Sequence, residues 1–156
     1  MAEQLTVCAQ DIMTKGVVVL RRDAPIAEAV KLLAERGAPC AVVVDDEGAP
    51  IGIITERDLL PRAVAKGEAP PAVALRQILR DESHTLDFVR EARKADAFLV
   101  AEVMSSPVQC VDAQMTVGQA ATVLEAFNVR QAPVVRDGRL IGLVTRRDIV
   151  RAIATA

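Results

Sequence analysis

Ten consecutive residues of this chain occur twice in slightly altered form, as Ile51-Gly-Ile-Ile-Thr-Glu-Arg-Asp-Leu-Leu60 and Ile141-Gly-Leu-Val-Thr-Arg-Arg-Asp-Ile-Val150. Each copy is an apolar run, a glycine, then Thr-x-Arg-Asp opening a second apolar run. A duplicated strand-to-helix junction implies a duplicated fold, because self-similarity at a fixed offset is a property of architecture rather than of a local motif. The repeat reaches further back. Asp11-Ile-Met-Thr14 returns about ninety positions later as Glu102-Val-Met-Ser105, and Val17 returns as Val108. Ala29 and Leu33 correspond to Ala120 and Leu124, and Ala41, Val43 and Val44 to Ala132, Val134 and Val135. The first copy has one extra residue in its turn, Asp45-Asp-Glu-Gly48 against Arg136-Asp-Gly138. A loop is where a repeated unit absorbs an insertion.

The order of elements within each copy follows from local pattern. Val17–Leu20 reads as a strand. Asp23-Ala-Pro25 then opens a helix that runs to Arg36, with Asp23 placed to cap and Pro25 suited to the first turn. Ile26, Ala29, Val30, Leu32 and Leu33 recur at helical spacing, and Gly37 stops the helix. Ala41–Val44 and Ile51–Ile54 are short apolar strands, followed by a helix from Glu56. The second copy repeats this as strand Val108–Val111, helix Val117–Phe127, strands Pro133–Val135 and Leu140–Val144, and a helix from Arg146. The expected fold is α/β (α+β), two β-α-β-β-α units related by pseudo-two-fold symmetry. Strands apolar on both faces imply sheets covered on both sides. The expected units are 1–63, a helical insert at 64–101, and 102–156. Within the insert, Val73–Arg80 and Leu86–Ala101 have helical spacing, the second with Leu86, Val89, Ala92 and Leu99 inward and its charges forming a solvated face.

Composition excludes several function classes. A net charge of −2 and a pI near 5.5 argue against general affinity for nucleic acid or for an anionic membrane. No apolar run approaches the roughly 20 residues that span a bilayer, and the first residues lack the form of a signal peptide, so the expected location is cytoplasmic. Cys8, Cys40 and Cys110 have neither zinc nor disulfide spacing. Cys40 and Cys110 lie in apolar runs and read as small buried hydrophobes. His84 is the only histidine, in a polar turn, which removes a histidine metal cluster and leaves no nucleophile–base grouping. The chain reads as a non-enzyme.

Two readings of Thr-x-x-Asp are open and compatible. Ser/Thr followed three residues later by an acid is a helix N-cap signature worth about 1 kcal/mol. The same helix start also offers free N–H groups to an anion. A carboxylate beside a hydroxyl there can hold a ribose diol and the adjoining phosphate, as in dinucleotide-binding folds. Gly52 and Gly142 remove a side chain where backbone or ligand must pass closely.

Taken together, Ile12-Met13-Thr14 with Gly52-x-x-Thr55-x-x-Asp58, and Val103-Met104-Ser105 with Gly142-x-x-Thr145-x-x-Asp148, resemble the CBS domain family in its paired form, the Bateman module. The resemblance covers roughly residues 11–63 and 102–154. It implies that Asp58 and Thr55 hold ribose and phosphate at one site and Asp148 and Thr145 at the other. Thr14–Val17 and Ser105–Val108 would line the base pockets, with Arg57, Arg146 and Arg147 as phosphate contacts. Two cations in Arg146-Arg147 suit a polyphosphate better than Glu56-Arg57 does, so the Asp148 site is expected to bind anionic nucleotides more tightly. With 2% aromatic residues and no Trp or Tyr, adenine would sit between aliphatic side chains. The resemblance further implies a homodimer, and a regulatory module that requires no cofactor. Its effector would be an adenosine-containing ligand (AMP, ADP or ATP with or without magnesium, NAD, or S-adenosylmethionine), and its regulated partner another chain. The alternative is an assembly module whose pockets are vestigial.

Overall fold

The computed structural model describes residues 6–64 and 98–156, with only the backbone described at 61–64. The insert helix expected at Val73–Arg80, most of the one expected at Leu86–Ala101, and His84 lie outside the described residues.

The elements are α1 (Ala9–Ile12), β1 (Val18–Arg21), α2 (Ile26–Arg36), β2 (Cys40–Val44), β3 (Pro50–Thr55), α3 (Glu56–Val64), α4 (Val100–Val103), β4 (Val111–Asp112), α5 (Val117–Ala126), β5 (Gln131–Arg136), β6 (Arg139–Thr145) and α6 (Arg146–Ala154). They form two three-stranded sheets, ordered β1-β2-β3 and β4-β5-β6. In each, the first pair is parallel and the second antiparallel. A register shift falls at Val43/Val44 in one sheet and at the corresponding Val134/Val135 in the other. The repeat seen in the sequence is therefore repeated even in its irregularities.

β2 is buried along its whole length, as an apolar strand covered on both faces must be. α2 buries Ile26, Ala29 and Leu33. Ile26 and Ile54, 1% and 0% exposed, each contribute about 1.5–3 kcal/mol by leaving water. Gly37 ends α2 in the left-handed conformation, φ 57°, and its N–H donates to the Leu33 carbonyl. That geometry strains any residue with a Cβ.

The hydrophobic cores do not follow the sequence copies. Val100, Val103 and Met104, at the head of the second copy, pack with Val18, Leu20, Ile26, Val43 and Ile54 of the first. Ala9, Ile12 and Met13, at the head of the first copy, pack with Val111, Ala120, Val134 and Val144 of the second. The copies have exchanged their leading segments. A third cluster, Cys40, Val42, Val44 and Leu143 with Val17, Ile53 and Leu140, draws on both sheets. The Leu140 N–H donates to the Gly48 carbonyl at 3.0 Å, tying the hairpin of one sheet to that of the other.

Four expectations require correction. Asp23 does not cap α2; the N-cap is Pro25, without a side-chain bond, and the Ile26 N–H is satisfied instead by the Phe98 carbonyl at 2.9 Å. The strand expected at Val108–Val111 is reduced to Val111–Asp112. The β4–β5 register places Cys110 opposite Pro133, which has no N–H to offer, whereas the first copy has Val42 opposite Val19. Cys110 is half-buried rather than buried, consistent with its place in that unpaired stretch. The helix expected to run through Ala101 is broken at Leu99, which is extended and 42% exposed. Leu99 bridges Pro25, and the Val100 N–H donates to Ala24 at 2.9 Å, so pairing with the first copy overrides helical propensity there.

Candidate functional site

Both Thr-x-x-Asp groups sit where a strand becomes a helix. Thr145 ends β6 in extended conformation, φ −116° and ψ 162°, and its hydroxyl accepts from the Asp148 N–H at 3.2 Å. The Asp148 carboxylate reaches back, taking the Thr145 N–H and hydroxyl, each at 2.9 Å. This reciprocal capping box satisfies donors that a helix start leaves open. At the β3–α3 junction the Asp58 carboxylate takes the Thr55 N–H at 2.9 Å and its hydroxyl at 3.4 Å. Asp58 is 5% exposed and Asp148 8%. They are the two buried charged side chains among the described residues, at equivalent positions in the two copies.

The exchange of leading segments decides what faces each junction. Thr14 and Leu143 exchange backbone bonds of 2.8 and 3.0 Å, and Ser105 and Ile53 exchange bonds of 2.9 and 3.1 Å. Thr14–Val17 therefore runs beside the strand that ends in Thr145, and Ser105 beside the strand that ends in Thr55. The expected site residues are brought together across copies, a pairing the linear repeat left open. Val17 packs against the cluster that contains Leu143, and Val17 and Val108 are both half-buried. Thr14 and Ser105 are exposed.

The repeated spacing of glycine before each junction has the same origin. A Cβ on Gly142 would lie 2.8 Å from Met13 Cγ and 3.0 Å from the Thr14 carbonyl oxygen. A Cβ on Gly52 would lie 3.0 Å from Met104 Cγ and 3.2 Å from the Ser105 carbonyl oxygen. At both glycines the space a Cβ would take is filled by the other copy's leading segment. Met13 and Met104 thus pack against the glycines at the two crossings. Their recurrence in both copies was the available signal.

The three arginines differ. The Arg146 guanidinium donates to the Val129 carbonyl at 3.0 Å and to Asn128 Oδ1 at 3.3 Å, which engages it with the loop closing α5. Arg57 and Arg147 are exposed. A separate cavity of about 410 Å³ lies among Val7, Ile12, Val117, Ala152 and Ile153 and does not include either Thr–Asp group. Among the described residues, no cluster of His, Cys, Asp and Glu could hold a metal ion, and no helix is long and apolar enough to cross a membrane.

The CBS domain family model matches residues 9–65 and 100–155, nearly the whole of both copies. The chain belongs to the CBS domain family. The solved structure of CBSX2 in complex with AMP matches with a TM-score of 0.74 at 24% identity, covering 96% of this chain and 97% of that one. The CBS domain pair of MJ0100, in complex with 5-methylthioadenosine and S-adenosyl-L-methionine, matches with a TM-score of 0.68 at 23% identity, covering 96% and 98%. Among curated relatives, the uncharacterised protein MJ1404 of Methanocaldococcus jannaschii is 31% identical over 143 residues, 92% of this chain. The chain spans 31% and 59% of the lengths of the first two curated relatives. The fold is that of a CBS pair, with two mixed sheets and their flanking helices.

Proposed function

We propose that the protein is a regulatory module that binds an adenosine-containing small molecule at one or both strand-to-helix junctions and thereby alters the affinity of a partner protein. The observation that carries this reading is the duplicated, nearly buried Thr–Asp pair, each faced by the other copy's leading segment. A ligand bound there touches both copies at once. The ribose diol would meet Asp148 or Asp58, the phosphate would meet Thr145 or Thr55 and the exposed Arg147 or Arg57, and the base would lie against Val17 or Val108. CBS pairs of the same fold have been solved with AMP and with S-adenosyl-L-methionine, which supports the ligand class. Effector action requires different affinity for two states of the module. In this reading the protein is not an enzyme, acts in the cytoplasm, and forms a homodimer through the exposed apolar residues Leu60, Val150 and Ile153 on α3 and α6.

One observation favours a second reading. Asp148 Oδ2 already receives both Thr145 donors and the Thr145 hydroxyl accepts the Asp148 N–H, so the Thr145–Asp148 group is complete as a helix cap without a ligand. An assembly module with vestigial pockets would look the same at these two residues. A dye-based melting scan separates the two, with AMP, ADP, ATP, NAD and S-adenosylmethionine, each with and without magnesium. A ligand at a hundred times its dissociation constant adds about 2.7 kcal/mol, a shift of roughly 5–10 °C at this size. A shift that Asp148→Ala or Asp58→Ala removes supports the nucleotide reading. No shift with any compound counts against the nucleotide reading and favours the assembly reading.

A further inference from the structure

We infer that Gln131, which lies outside both Thr-x-x-Asp groups, contacts ligand at the Asp148 junction, its carboxamide donating to the phosphate of a phosphorylated adenosine. The inference rests on the nucleotide reading above and deepens it by naming the group that recognises the phosphate. Gln131 opens β5 directly opposite Thr145 in the antiparallel register of β5 and β6. Next to it, the Arg146 N–H donates to the Arg130 carbonyl at 3.0 Å. Gln131–Thr145 is therefore the closer, non-hydrogen-bonded kind of cross-strand pair, with Cβ atoms about 4.5–5.5 Å apart. Directly opposed residues share a face of the sheet, and faces alternate along a strand. Ala132, Val134 and Val144 lie in the core of the second unit, whereas Leu143 lies in the cluster that draws on both sheets. By that alternation Gln131 and Thr145 stand together on the face turned towards the other sheet.

A phosphate dianion accepts hydrogen bonds and donates none, so its binding turns on which donors the junction has left. Thr145 has none to spare. Its N–H and its one hydroxyl proton both go to Asp148 Oδ2, each at 2.9 Å. The Arg146 N–H is taken by Arg130, and its guanidinium by Val129 and Asn128. The Gln131 carboxamide carries two N–H donors, and its side chain forms no hydrogen bond with another described residue. Gln131 is half-buried, yet among the described residues no side-chain polar atom is both buried and unpaired, so its amide is open to solvent. It is an uncommitted donor beside Thr145, held at a fixed register position by the strand. The exposed Arg147 supplies charge at the same junction. Gln131 supplies a directed bond to an anion, which is stronger than one between neutral partners.

The test is calorimetric titration of the whole chain with AMP and with adenosine, comparing wild type, Gln131→Leu, Gln131→Glu and Asp148→Ala. Gln131→Leu should weaken AMP binding about tenfold, the lower end for loss of a hydrogen bond to a charged group, and leave adenosine binding within about twofold. Gln131→Glu keeps the side-chain length, removes the donors and adds a negative charge, so it should weaken AMP more than Gln131→Leu does. Neither variant should lower the melting temperature without ligand by more than about 2 °C, because the amide it replaces holds no partner in the protein. If Asp148→Ala weakens both ligands and Gln131→Leu leaves the AMP-to-adenosine ratio unchanged, the inference is wrong and the nucleotide site stands. AMP binding that survives Asp148→Ala also overturns it, leaving the nucleotide reading to the Asp58 junction. Failure of wild type to bind AMP or adenosine overturns the inference as well. The reading beneath it then falls only if every compound of the melting scan is also without effect.

Discussion

Substituting Gly142 by Ala should destabilise the protein through contact with a residue about 130 positions away in the chain, not through any strain at Gly142 itself. The new methyl would fall 2.8 Å from Met13 Cγ and 3.0 Å from the Thr14 carbonyl oxygen. The methionine is the far end of a flexible side chain and can move. The carbonyl cannot easily do so, because it accepts the Leu143 N–H at 3.0 Å within a two-bond bridge. Overpacking of this kind costs typically about 1–3 kcal/mol. With part of the clash relieved by Met13, a loss of about 2 kcal/mol is expected, or roughly 4–8 °C in melting temperature. The assay is chemical denaturation followed by circular dichroism, since the chain has no Trp or Tyr. A double-mutant cycle of Gly142→Ala with Met13→Ala should give a favourable coupling of about 1 kcal/mol, because the truncated side chain vacates the space the methyl needs. The cycle of Gly142→Ala with Met104→Ala should be additive, and Gly52→Ala should show the opposite preference. If Gly142 couples to Met104 and not to Met13, the leading segments are not exchanged and the pairing of site residues given above is wrong.

Other outcomes follow from the same geometry. Thr145→Ala removes the acceptor of the Asp148 N–H and one donor to its carboxylate, and should cost about 1–2 kcal/mol of stability measured by urea unfolding. Arg146→Ala should loosen the loop after α5 and lower the melting temperature while leaving ATP affinity within twofold, whereas Arg147→Ala should weaken ATP binding with little effect on stability. Burial pushes the Cys40 thiol from its ordinary 9.0 up to about 12, so it should resist alkylation at pH 8 in the folded protein and react once unfolded. The folded state holds that thiol neutral while the unfolded chain ionises it, so its contribution to stability is full below pH 9 and is lost as the pH rises from 9 towards about 12. Denaturation midpoints of wild type and Cys40→Ala across that range should converge as the pH rises.

Much of the architecture was legible because it is written twice. Any one Thr-x-x-Asp is a weak signal, but two in register with matching glycines, methionines and apolar strands fixed the element order and both junctions. The errors fall where one copy meets something the other copy lacks. Pro133 stands where the first copy has Val42, and without its N–H the strand at Val108–Val111 shortens. Leu99 has helical neighbours in sequence, yet its backbone pairs with Pro25, so a tertiary contact sets the helix boundary. The role expected of Asp23 went instead to the Phe98 carbonyl, a partner more than seventy residues distant that no local pattern can reveal.

The parts of the candidate site could be picked out in the sequence, but not how they come together. Thr55, Asp58, Thr145 and Asp148 announce themselves by spacing, and Thr14, Val17, Ser105 and Val108 by repetition. A repeat, however, says only that two units are alike. It does not say whether each unit closes on itself. Exchanging equivalent segments between two similar units preserves every local contact type, so sequence periodicity is silent on the difference. Physical coupling is not silent. In a self-closed arrangement a ligand at Asp148 would be held by one copy alone and could order only that copy. With Thr14 paired to Leu143 and Ser105 to Ile53, a ligand at either junction would also restrain the strand leading into the other sheet. If the nucleotide reading holds, a module built this way would report occupancy of either junction through both halves.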